Sequence, residues 1–201
     1  TIPLLVGVIG ALVISRAKGL GHTANTIGLI VSTLYLSWTV LAKFHVENFA
    51  QEYFTTQQET YTQMLVQPTP LNSLLWRILI MKEGGYAEAY YSIVNQQADI
   101  HLTHYTSHLQ FLDSLTDHEP VRGLRWFTQG FWGINQYNHL IVISDLRMGM
   151  EPNYAFSFTV GENQNPVISP TASERRPSTT NWGQALPWVW QRIWDSSVKR
   201  P

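Results

Sequence analysis

Three histidines form the sharpest chemical pattern in the chain. His101, His104 and His108 stand at i, i+3 and i+7, offsets that align three imidazoles along one stripe of a helix. Neutral imidazole is a good zinc ligand, and three protein ligands plus water make a catalytic zinc site. Asp99, Asp113 and His118 lie close enough in sequence to orient or complete such a site. Two facts weigh against it. Residues i and i+7 are about 10 Å apart along a helix axis, so one straight helix does not converge three ligands on one ion. The spacing also lacks the His-Glu-x-x-His pattern that brings a general base. The expectation is a polar helical face carrying its histidines in water.

Asp145 and Arg147 flank Leu146 at the end of an apolar run. Residues two apart on a strand share a face, so these two side chains either pair or face one cleft. An arginine so placed holds a carboxylate or phosphate bidentately. Arg125, beside Trp126, is a further partner for their charge. Asn72, just after Pro70, reads as a turn or cap residue or as a ligand. Trp76 and Tyr90 are expected as cross-strand neighbours that pack together. The chain has no nucleophile elbow, no phosphate-binding glycine loop and no serine, histidine and acid at a supporting spacing.

The elements that position these residues follow from pattern. Leu74–Met81 and Tyr86–Val94 are aromatic and branched runs around Gly84-Gly85, a hairpin signal. Asp99–Thr116 carries an imperfect helical pattern. Pro120–Gly130 reads as a short helix and its exit. Phe131–Gln136, Leu140–Asp145 and Asn153–Val160 read as strands, with Tyr137-Asn138 as a turn. Glu162–Thr180, rich in Pro, Ser, Asn and Thr, reads as an exposed linker. The tail, helical after Pro187, holds Trp182, Trp188, Trp190 and Trp194, half of all the tryptophans. It is expected either to lie on a membrane surface or to cover the β-domain or a partner.

The chain has 201 residues, 44% hydrophobic and 13% charged, too short for two full domains and too apolar for disorder. Cysteine is absent, which excludes disulfides and thiolate metal sites. A net charge of −1 excludes a general nucleic-acid binder. The charge is unevenly spread. Residues 1–46 carry Arg16, Lys18 and Lys43 and no acid, so all of the acidic residues follow. Thr1–Ser15 is an uncharged apolar run, and a second runs from Gly19 to Ala42. The second is long enough to cross a bilayer, with Gly19-Leu20-Gly21 as a turn between two helices. Basic residues favour the cytoplasmic side. Arg16 and Lys18 between the helices therefore place the rest of the chain outside, although Lys43 opposes this.

Three patches carry a family resemblance. The first is Pro68-x-Pro70-x-Asn72-x-x-x-Trp76 with Tyr86 and Tyr90-Tyr91-Ser92 after it. The second is Arg125-Trp126-Phe127 with Gly130, and the third is Asp145-Leu146-Arg147-Met148-Gly149. In this order after apolar helices, they resemble the C-terminal half of the bacterial membrane-bound metal-dependent hydrolases, the YdjM-like group of LexA-binding, inner-membrane-associated proteins. The resemblance covers about residues 60–150 and the apolar character of residues 1–43. It implies a bacterial inner-membrane protein and a divalent metal such as zinc; Asn72, Trp76, Tyr90, Arg125, Asp145 and Arg147 are the candidate substrate contacts. The family's ligands lie in motifs of the His-Arg-Gly-x-Thr-His-Ser kind, which this chain lacks. Most ligands are therefore expected upstream of Thr1.

The expected fold is α+β. One or two transmembrane helices occupy residues 1–43, and a mainly antiparallel β-rich domain with an inserted helix occupies 44–161. A linker (162–180) and a Trp-rich amphipathic helix (181–201) follow. The alternative function is a non-catalytic, membrane-tethered β-domain that binds a protein partner or lipid.

Overall fold

The computed structural model describes residues 9–10, 21–95, 100–165, 167–179 and 181–200. The first apolar run, apart from Ile9 and Gly10, and the turn expected at Gly19-Leu20 lie outside these residues, as does Asp99.

The second apolar run forms α1 (Gly21–Thr56), a single helix of 36 residues. Among the described residues it is the one helix long and apolar enough to cross a membrane. The boundary expected at residue 43 is not a break. No proline or glycine follows Gly28 before Thr56, so nothing stops the helix, and Lys43 pairs with Glu47 one turn on at 3.3 Å. The two halves of α1 differ in what they touch. Ile27, Leu29, Ile30, Leu34, Leu36, Val40 and Leu41 are all exposed, whereas Ala42, Val46, Ala50 and Phe54 are buried. The spacing of four puts that second set on one face.

That face packs on a four-stranded antiparallel sheet of β1 (Gln63–Pro68), β2 (Leu75–Lys82), β3 (Gly85–Ser92) and β4 (Thr103–Thr106), in that order. Gly84, at φ +79°, supplies the turn that makes the β2–β3 hairpin. Alternation along the strands divides the sheet. Trp76, Ile78, Ile80, Ala87, Ala89 and Tyr91 join α1 in one core. Leu75, Leu79, Met81, Tyr86 and Tyr90 face the other way.

A second sheet has the order β10 (Ile168–Arg176), β9 (Ser157–Asn163), β6 (Leu140–Asp145), β5 (Trp132–Tyr137). Its core of Ile134, Ile141, Ile143 and Val160 is covered by Leu115 of a 3₁₀ helix (Leu109–Leu115) and by Val121 of α2 (Glu119–Thr128). A short hairpin, β7 (Gly149–Met150) and β8 (Asn153–Tyr154), follows β6. Leu146 and Tyr154 reach from this side onto the first sheet. Helix α3 (Trp182–Trp194) lays Trp188, Val189 and Ile193 against Leu75 and Tyr90.

Three expectations are corrected. Residues 162–180 are not a linker, because β10 pairs with β9 as an edge strand. Edge strands tolerate polar residues and proline, and Pro170 sits where the register shifts. The segment holding the histidines is not a helix but β4 followed by the 3₁₀ turn. Thr103-His104-Tyr105-Thr106 alternates branched and aromatic residues, which suit a pleated strand. The tail helix starts at Trp182 rather than after Pro187. Asn181 caps it, its side chain accepting from the Gly183 N–H at 3.1 Å.

Candidate functional site

One charged residue stands inside each of two apolar runs. Arg77 interrupts Leu75–Met81 and Glu88 interrupts Tyr86–Tyr91. The hairpin register sets Arg77 opposite Tyr90 and Glu88 opposite Leu79, so the two charges meet on the diagonal of one face. Both side chains are 1% exposed and form an ion pair.

The pair is heavily bonded. Arg77 also donates to the Leu146 carbonyl at 2.7 Å. Glu88 accepts from the Tyr154 hydroxyl at 2.8 Å and from Tyr90 and Arg200 at 3.2 Å each. Arg200 donates further to the hydroxyls of Tyr90 at 3.1 Å and Tyr105 at 3.3 Å. Burial would push the Glu88 carboxyl up, but the charge of Arg77 and the donated hydrogen bonds outweigh it, and its pKa is lowered. Burial works against the Arg77 cation too, and Glu88 reverses that effect. Tyr86, Tyr90 and Tyr154 are all pushed up by burial, so they remain neutral hydrogen-bond donors.

Arg77 and Arg200 of this network line a cleft of about 660 Å³. Gln67, Pro68, Thr69 and Pro70 bound one side, and Arg147 through Asn153 bound the next. Trp182, Gln184, Ala185 and Trp188 of α3 close a third side, and Arg200 the end. Gln67 ties the first two sides together by donating to the Arg147 carbonyl at 2.9 Å. Two buried donors in these walls, Arg77 Nε and Trp188 Nε1, have no acceptor among the described residues. The lining therefore combines proline, methionine and tryptophan surfaces with guanidinium groups. It suits a ligand with an apolar body and an acceptor or anionic group.

The residues singled out from sequence divide by role. Arg147 lines the cleft. Asp145 aligns it with bonds of 2.7 and 3.0 Å, and Arg147 donates at 2.8 Å to the Phe127 carbonyl. The hydrogen bond to Asp145 raises the Arg147 pKa. Arg125 does not join this pair; its side chain is exposed. Asn72 is a turn residue. Its carboxamide oxygen accepts from the Leu74 and Leu75 N–H groups at 2.9 and 2.7 Å, while its nitrogen donates to the Thr69 hydroxyl at 2.6 Å. Trp76 and Tyr90 are not paired across the hairpin. The register sets Trp76 opposite Tyr91, and a one-residue offset sends Trp76 to the α1 core and Tyr90 to the cleft side.

Sequence reasoning missed Arg77, Glu88, Tyr154 and Arg200. A signal for the first two existed: lone opposite charges in facing apolar strands imply a buried pair. Arg200 and Tyr154 gave no local signal.

The histidines do not converge. His104 lies on β4 opposite Ala87, while His108 precedes the 3₁₀ turn against Phe111. Asp113, Asp117 and His118 border a shallow surface depression, and the His118 ring meets the Thr171 carbonyl. Among the described residues no three His, Asp or Glu side chains are grouped to hold a metal ion. Glu151, which lines the cleft, and Glu88 behind its wall do not fit one either. Glu88 is saturated with donors, and Glu151 accepts from the Tyr86 hydroxyl at 2.5 Å.

Comparison with protein-family models, curated proteins and solved structures returns no match.

Proposed function

We propose that this chain is the substrate-holding part of a membrane-bound metal-dependent hydrolase, with the cleft as its substrate site and most of the metal ligands contributed from outside the chain. In this reading α1 crosses the bacterial inner membrane and presents the domain on the extracytoplasmic side. The observation that supports it is the convergence of three patches distant in sequence. Pro68 and Pro70 from the first, and Arg147, Met148 and Gly149 from the third, line one cleft. Phe127 from the second holds Arg147 through its carbonyl and through its ring, 5.2 Å from the guanidinium. Arg147 would orient an anionic or carbonyl group of the substrate, and the proline and tryptophan walls would hold its apolar body and exclude water.

The test is hydrolysis of p-nitrophenyl acetate and p-nitrophenyl phosphate by the detergent-purified full-length protein, with and without a chelator. The expected result is chelator-sensitive turnover, with Arg147→Ala raising KM about tenfold and changing kcat little. Absence of both turnover and stoichiometric metal would refute the reading.

A non-catalytic tethered module is favoured by one observation, that Glu88 and Glu151 are both occupied by donors and neither stands free as a base. The same assay separates the two, since a module binds ligand in the cleft without turnover.

A further inference from the structure

We infer that the domain rests on the bilayer surface through a second contact, a rim formed by Leu71, Val94, Trp190 and Trp194. The inference rests on the reading of α1 as a membrane span. The pairings define two ends of the domain. At one end the Tyr91 ring packs on His45 and Phe49 of α1, with centroids 6.4 and 4.5 Å apart. At the other, Phe54 meets Tyr61 and Lys82 pairs with Glu59. The strands β2 and β3 therefore have Trp76 and Tyr91 toward the apolar part of α1, and Lys82 and Gly85 away from it.

Helix α3 is fastened to the near end. The Ser92 hydroxyl donates to the Ile193 carbonyl at 2.6 Å, and the Asn95 side chain donates to the Trp194 carbonyl at 3.2 Å. The loops carrying Leu71 and Val94 leave the sheet at the same end, since Pro68 is opposite Trp76 and β3 ends at Ser92. The four side chains are 44–62% exposed. On the same helix Trp188 is 4% exposed, so α3 is firmly seated and presents Trp190 and Trp194 outward.

Depth selects the occupant. His45 is three residues beyond Ala42, the last residue of the apolar run, or about 5 Å along the axis. The headgroup layer is roughly 5–7 Å thick on each side of the hydrocarbon. The near rim thus falls within that layer, where tryptophan rings are favoured. The two ends also differ in chemistry. The near rim exposes four large apolar side chains, with Lys43, Glu47 and Asp195 beside them, while the far end carries Glu59, Lys82 and Glu83. A bilayer on one side and water on the other accounts for this polarity.

The chain has no cysteine, so single nitroxide labels can be placed without background. Leu71→Cys, Val94→Cys, Trp194→Cys, Glu83→Cys and Leu34→Cys variants of the full chain would be labelled in vesicles of phosphatidylcholine and phosphatidylglycerol. Collision with oxygen and with a water-soluble nickel chelate would then be compared. Labels at 71, 94 and 194 are expected to favour oxygen, and a label at 83 to favour nickel. Labels at the three rim sites as nickel-accessible as at 83, with 34 in lipid, would overturn the contact and leave the span intact. Shielding of the rim labels from both reagents would overturn it in favour of a second copy or a protein. A nickel-accessible label at 34 would overturn the span and the contact together.

Discussion

Arg77 and Glu88 neutralise each other on the diagonal between β2 and β3, both almost wholly buried, and the Leu146 carbonyl and the Tyr154 hydroxyl bond to them on that face of the sheet. Removing one partner leaves a buried charge unpaired. Glu88→Gln and Arg77→Met are each expected to destabilise the domain by about 3–5 kcal/mol. The double variant Arg77→Met with Glu88→Gln is expected to cost less than the sum of the singles. Denaturant unfolding of the four proteins in detergent measures the coupling.

The same pair sets the response to acid. The folded pKa of Glu88 is below its ordinary value, so the stability it contributes is present above about pH 5 and lost as the pH falls below about 4. Tyr86, Tyr90 and Tyr154 are shifted upward by burial. Unfolded tyrosine ionises near pH 10, so stability also falls above that value. Thermal midpoints between pH 3 and 11 should form a plateau with two falling limbs. Glu88→Gln should flatten the acid limb, and Tyr154→Phe should soften the alkaline one.

Neighbouring tryptophans on α3 should behave oppositely. Trp188 is buried and meets the Tyr90 ring edge-on at 5.0 Å. Trp188→Ala is expected to cost about 3–5 kcal/mol. Trp190 is 62% exposed, and Trp190→Ala should change stability by no more than about 0.5 kcal/mol. Denaturant midpoints distinguish the two variants directly.

Gly149 holds the hairpin that walls the cleft. Its φ is +125°, and an added Cβ would lie 2.6 Å from the Asn153 carbonyl oxygen. Gly149→Ala should cost about 1–3 kcal/mol through backbone strain and should displace Met148 and Met150. Thermal unfolding, with the total intrinsic tryptophan fluorescence as a second readout, tests this.

Much of the secondary structure was legible because local pattern dominates there. Gly84-Gly85 between two apolar runs specified the β2–β3 hairpin, and the uncharged run before Lys43 specified a long helix. Two segments were misread because their neighbours, not their own residues, decide their state. Residues 168–176 are polar enough for a linker, yet β9 offers an open edge. Residues 103–106 carry histidines at helical offsets, yet β3 offers an edge at Gly85–Glu88.

By itself, the sequence determined the apolar helix, the β2–β3 hairpin, the Asn72 turn and the Asp145–Arg147 neighbourhood, because each depends on residues within a few positions of one another. Tertiary structure alone decided that Arg77 and Glu88 share a face with Tyr154 and Arg200. It also decided that Trp188 is buried while Trp190 is not, and that Pro68, Arg147 and Trp182 border one cleft. These relationships join residues 11 to more than 100 positions apart. Their geometry follows from strand register and from the face on which each helix docks, and a one-residue change in register would have placed Arg77 and Glu88 on the opposite side of the sheet.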